Sequence, residues 1–174
     1  MAQTPHQQDM SALKERLASN SAVMLEGLPE AEKLTMAQMI ECLPRDMWTH
    51  LDGKHFIDVL EDVATWGKVT LIMHTSDVIL EFSGDFPAGK LGHGYYNLGG
   101  ASGLHGHLRA DHCGHIYLVE RPFMGKPTVS LQFMNTTGDT MFKVYLGRDE
   151  NGEIYSHQIA AMREFAKKYS NGVA

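Results

Sequence analysis

Six of the ten histidines, His74, His93, His105, His107, His112 and His115, fall between Lys68 and His115, among short apolar runs, glycines and the pair Tyr95-Tyr96. Histidine is the side chain most used to ligate a transition metal or heme iron, and tyrosine ligates ferric heme in some proteins. In SGLHGHLRA, strand alternation puts Leu104, Gly106 and Leu108 on one face and His105, His107 and Arg109 on the other. Two imidazoles followed by a guanidinium suit an anionic, metal-containing ligand if that face looks into a cavity, and nothing in particular if it looks at solvent. His74 closes the apolar run VTLIMH at a Thr75–Asp77 turn. It reads either as a hydrogen-bonded strand cap or as a ligand on an apolar wall, with Asp77 or a main-chain carbonyl holding its second ring nitrogen. Tyr95 and Tyr96 point to opposite faces of a strand, so one of them enters a given cavity.

Other chemistries fit poorly. The chain has no HExxH, GxSxG, CxxC, CxxCH or GxxxxGK[ST] motif. Cys113 lies near His112 and His115, but a zinc site there needs a fourth group, and adjacent strand residues point apart. The eleven methionines read mostly as core filler, with Met73, Met124 and Met134 also suited to walling a flat macrocycle.

The elements that must position these residues are mixed. Residues 1–10 are polar and read as frayed. Leu13 and Leu17 open a helical stripe from Ser11, and Thr35 reads as the N-cap of MAQMIEC, which Pro44 closes. Two such helices resemble a DNA-reading pair only superficially, because EGLPEAE supplies acid where phosphates need base. His55–Trp66 is a stronger amphipathic helix, with Phe56, Val59, Leu60 and Val63 at helical spacing. Strands follow at VTLIMH, Asp77–Ser83, GYYNL, SGLHGHLRA, GHIYLVERPF, PTVSLQFMN and DTMFKVYLG, with links too short for parallel crossovers. A last helix carries Tyr155, Ile159, Met162, Phe165 and Tyr169 along one stripe. The order predicts an α+β fold: one large, curved antiparallel sheet of seven or more strands, flanked by N-terminal helices and a C-terminal helix. Residues 1–45 read as a short helical lobe and 46–174 as the sheet domain, the two forming one unit.

Composition sets the outer bounds. A chain of 174 residues buries enough surface to fold without disulfides or structural metal. Its net charge of −6 argues against nucleic acid or an anionic membrane as partner. Cys42 and Cys113 read as free thiols in a reducing compartment. The N-terminal stretch lacks the pattern of a secretory signal, and no window approaches the roughly 18 apolar residues of a membrane span. The expectation is a cytoplasmic protein.

The motifs MHTSDVILEFSG, HGYYNL, LHGHLRADHC, ERPFMGKPTVSLQFMN and MFKVYLGRDENGE, in this order and spacing, resemble the intracellular heme-utilisation carrier family of the ChuX/HutX type. The resemblance runs from about Leu43 to Tyr169. It implies a homodimeric cytoplasmic protein that binds heme non-covalently and delivers it to a heme-degrading enzyme, with a fold similar to half of larger, duplicated heme-trafficking proteins. It further implies that His74 and His107 are iron ligands, or Tyr95 where the family lacks the first histidine. Arg109 or Arg121 then meets a propionate. The carrier reading makes the protein a non-enzyme; a heme-degrading or heme-modifying enzyme is the alternative.

Overall fold

Alternating apolar and polar residues over 113–146 produce three long strands whose two faces bury different layers. The computed structural model describes residues 5–28 and 34–170. Among these described residues nine strands form two antiparallel sheets instead of the single sheet of seven or more expected from the sequence. The larger comprises β1 (Trp48–Asp52), β2 (Lys68–His74), β3 (Ile79–Asp85), β7 (Cys113–Phe123), β8 (Lys126–Asn135) and β9 (Thr140–Leu146), in the order β1-β7-β8-β9-β2-β3. The smaller comprises β4 (Gly89–Gly92), β5 (Tyr95–Leu98) and β6 (Gly106–Leu108). The split arises after β3: buried Phe86 and Pro87 divert the chain, and a separate meander begins. Its first turn is a two-residue hairpin with positive φ at both His93 (53°) and Gly94 (81°), the mirror-image turn that matches strand twist.

One face of the large sheet carries the main core. Val69, Leu71, Ile116, Leu118, Val129, Leu131, Phe133, Phe142 and Val144 meet helix α3 (Phe56–Val63), helix α4 (Ser156–Tyr169), Phe86 of the link after β3, and the small sheet's Tyr96 and Leu98. Phe133 and Phe142 stack at 4.5 Å between centroids, with Phe56 edge-on at 5.5 and 6.1 Å. The opposite face, through Tyr117, Val119 and Met134, receives the N-terminal lobe: Leu13 and Leu17 of helix α1 (Pro5–Ser19), then Leu25, and Met36, Met39 and Ile40 of helix α2 (Met36–Glu41). Thr35 caps α2 through a reciprocal box with Gln38, as its sequence position predicts.

Local departures have physical reasons. Helix α1 starts at Pro5, ahead of Ser11, because proline is at home in a first turn. SGLHGHLRA contributes only Gly106–Leu108 as strand, and Ala110–His112 form a 3-10 turn. The β2 end is less covered than its composition implies, and both faces of β3 are open, since β3 is an edge strand. Cys42 and Cys113 are buried and unbridged, as expected.

Candidate functional site

Two groups of site residues stand in different places. The first is built on the small sheet. Register pairs Asn97 on β5 with His107 on β6, and His107 Nδ1 lies 2.7 Å from Asn97 Oδ1. The Asn97 amide nitrogen donates to the Lys90, Gly92 and Tyr95 carbonyls at 3.1, 3.0 and 3.1 Å, which fixes the oxygen toward the histidine. An amide oxygen only accepts, so His107 carries its proton on Nδ1 and presents a lone pair at Nε2, the arrangement of a ligating imidazole. Tyr95, 37% exposed, lies edge-on to His107 at 6.0 Å, and the Arg109 guanidinium sits 5.5 Å over the Tyr95 ring. Asp111 grips Arg109 through two hydrogen bonds of 2.9 and 2.7 Å. The guanidinium in return holds the Asp111 carboxyl down at about 2. Tyr96 points the other way and is buried, its hydroxyl accepting a hydrogen bond from the Gly89 N–H at 2.9 Å.

The second group surrounds His74 at the end of β2. Its ring is half-buried and makes no hydrogen bond with another described residue; Asp77, the acceptor expected from the sequence, pairs with Ser76 Oγ at 3.1 Å instead. Four large apolar side chains stand open at this end of the hairpin: Ile79 (58% exposed) opposite His74, Val78 (48%) in the turn, and Met73 (45%) with its register partner Leu80 (60%) on the other face. An open hollow of about 490 Å³ runs from His74 to Glu26, Met36, Asp139 and Lys143. Tyr95, His107 and Arg109 do not line it. A hollow of about 760 Å³ between α3 and α4 is walled by Asp58, Glu61, Asp62, Glu164, Lys167 and Lys168 and contains none of the candidate ligands His74, Tyr95, His107 and Arg109.

The remaining expectations resolve simply. His93 and His105 are exposed on turns of the small sheet. Met134 is buried under the lobe and Met124 stands 83% exposed at a hairpin tip, so neither joins Met73 in a wall. Among the described residues no group of three His, Cys, Asp or Glu side chains converges as for a metal ion, which removes zinc at Cys113. Burial pushes the Cys113 thiol up to about 12.

Sequence reasoning missed Asn97, the residue that sets the His107 tautomer; its signal is the cross-strand position opposite His107, visible only once register is known. It also missed a histidine pair, His50 on β1 and His115 on β7, with Nε2 and Nδ1 3.0 Å apart. Their rings lean on Tyr117, whose hydroxyl donates to Glu41 at 2.6 Å.

Comparison with known proteins adds four likenesses. The profile of the family described as Haem utilisation ChuX/HutX matches residues 49–165. The intracellular heme transport protein HutX of Vibrio cholerae is 37% identical over 164 residues, 89% of this chain and 85% of that one. The crystallised heme-binding protein ChuX superposes with a TM-score of 0.81 at 40% identity, over 90% of this chain and 97% of its own. At 16% identity, holo-PhuS, a heme-binding protein from Pseudomonas aeruginosa, shares the fold alone: TM-score 0.72 over 97% of this chain but 48% of PhuS.

Proposed function

Because the chain belongs to the Haem utilisation ChuX/HutX family, we propose that it binds heme non-covalently and carries it inside the cell to a heme-degrading enzyme. The observation that carries the reading is His74. An imidazole without a hydrogen bond to another described residue, beside its exposed cross-strand neighbour Ile79 and the turn residue Val78 on an open hairpin, offers both an iron ligand and an apolar shelf. Burying such a shelf under a macrocycle is worth roughly 25 cal/mol per Å² of apolar surface. His107, with Nε2 free to ligate, and Tyr95 are the second source of iron ligands, and Arg109 the cation beside them. The names of the relatives, a heme transport protein and a heme-binding protein, support this assignment.

The finer reading goes beyond those names. The protein is a cytoplasmic homodimer that serves iron acquisition, and it hands heme on without turning it over. Neither nucleic acid nor membrane is its partner, and no helix among the described residues is long and apolar enough to cross a bilayer.

Titrating hemin into the protein while following the Soret band tests the proposal. Wild type is expected to give a sharpened, shifted band that saturates at one equivalent per chain. His74→Ala should weaken binding at least tenfold, and His107→Ala and Tyr95→Phe should alter the band. Identical spectra for wild type and the triple variant would overturn the assignment of ligands. The complex should keep its Soret band when a reductant is added; bleaching with release of a linear tetrapyrrole would favour the enzyme.

A further inference from the structure

The sheet face covered by the N-terminal lobe carries charge where a sheet–helix interface is ordinarily apolar. Lys143 on β9 is 3% exposed, and Gln132, Ser130 and Arg121 beside it are 3%, 2% and 8% exposed. Register places Lys143 between Gln132 on β8 and Ile72 on β2, with Tyr145 next to Ser130 and Thr70 one row along. Alternation along β2 puts Thr70, Ile72 and His74 on this same face. The buried ammonium and the His74 ring therefore share one surface, and both line the hollow of about 490 Å³.

A buried ammonium needs a partner. It has one in Glu26, from the stretch Ser21–Leu28 that straps the lobe onto the sheet: the Glu26 carboxylate accepts a hydrogen bond from Lys143 Nζ. Arg121 holds the strap's start, donating to the Ser21 and Val23 carbonyls at 2.6 and 2.7 Å. Burial raises the Glu26 pKa, but the Lys143 charge and hydrogen bond, helped by Arg121, outweigh it and leave the carboxyl below its ordinary range. The Gln132 side chain donates to Ser130 Oγ at 3.2 Å, while its own oxygen is buried without a partner among the described residues. The surface thus holds a buried cation whose carboxylate partner comes from a tether rather than from the sheet itself.

We propose that Lys143 is a carboxylate-binding position of the His74 site, and that Glu26 fills it as an internal stand-in which a heme carboxylate displaces. This rests on the heme reading of His74. The chemistry is an exchange of one carboxylate for another on the same ammonium, so charge balances within the pocket. Displacement frees the 21–28 strap. A ligand that must evict an internal competitor binds more weakly by the fraction of time the competitor is absent. Removing the competitor's charge therefore tightens binding, but only for a ligand that carries a carboxylate.

The test compares hemin with its dimethyl ester on the whole protein, wild type, Glu26→Gln and Lys143→Met, by Soret titration. Glu26→Gln keeps an acceptor for Lys143 and should bind hemin about tenfold more tightly, with affinity for the ester unchanged. Lys143→Met should abolish the preference for hemin over the ester. Hydrogen–deuterium exchange on wild type supplies a second readout that needs no variant: amides of residues 21–28 should exchange faster once hemin is bound. Equal gains for hemin and ester in Glu26→Gln, or strap amides that are unchanged or slower with hemin, would overturn the proposal while leaving heme binding intact. Failure of wild type to bind either compound would instead remove the heme reading, and this site with it.

Discussion

His50 shows how one side chain sets a pH response. Burial lowers its pKa first, and the neighbouring His115 lowers it further, against opposing pulls from Glu41 and Asp52. The unfolded chain takes up a proton near pH 6.5, the folded chain only below that. The unfolded state thus binds more protons as pH falls through this window, so folding stability declines there and is untouched at neutral pH and above. The groups facing the pair are Tyr117, Glu41 and Asp52, and Tyr117 stays protonated because burial and the hydrogen bond to Glu41 push its pKa far up. His50→Gln keeps a donor for His115 and should flatten the loss of stability between about pH 6.5 and 5. Melting curves at pH 7.5 and 5.5 check this, and an equal acid loss in wild type and variant would refute it. Legibility at this scale follows exposure of the pattern. His74, Tyr95 and His107 stand out because their types are chemically loud and close in sequence. Glu26 and Lys143 are 117 residues apart, and each reads as a solvated charge until register buries one beneath the other.

At the scale of elements, Gln158 in α4 joins pieces that sequence leaves unconnected. It is fully buried, accepts from the Gly147 N–H at 2.7 Å, and donates to the Trp66 and Lys68 carbonyls at 3.0 and 2.9 Å. One amide thus seals the end of α3, the start of β2 and the exit of β9. Gln158→Leu is nearly isosteric but strands the Gly147 N–H and takes a donor from the Trp66 and Lys68 carbonyls, the first of which keeps His157 Nε2 at 3.0 Å, and should cost about 1–3 kcal/mol. Urea unfolding measures it; a loss below about 0.5 kcal/mol, the size of an ordinary surface change, would show the seal to be dispensable. The apolar stripe of α4 was readable from spacing, and Met162 and Phe165 do face the core. Gln158 was not, because a glutamine one turn before Met162 carries no apolar signal. The division of the strands was equally hidden. Each strand announced itself by alternation, but which strand pairs with which depends on Phe86 and Pro87 turning the chain aside, a tertiary event.

For the whole molecule, the uneven cover of the large sheet matters most. Two layers protect β7 and β8, while the β2–β3 hairpin closes the sheet with an unpaired edge and exposes Met73, Val78, Ile79 and Leu80. A long apolar edge left bare invites pairing with another chain. The homodimer proposed above would use this edge, so Leu80→Glu should shift the protein toward monomer. Sedimentation of wild type and variant at equal concentration reads it, and an unchanged mass distribution would place the dimer contact elsewhere. The overall α+β order was legible because helices and strands come in blocks; the two-sided sandwiching was not, since the face of each strand is fixed only by its neighbours.

The two thiols fall one on each side of that sandwich. Cys42 lies within the lobe's own core and Cys113 within the layer shared with α3 and α4, and neither is in a disulfide among the described residues. A sulfhydryl reagent therefore meets two silent targets that wake only when their own layer parts. The order in which they react is a clock, already installed, that distinguishes a lobe swinging away from a protein coming undone.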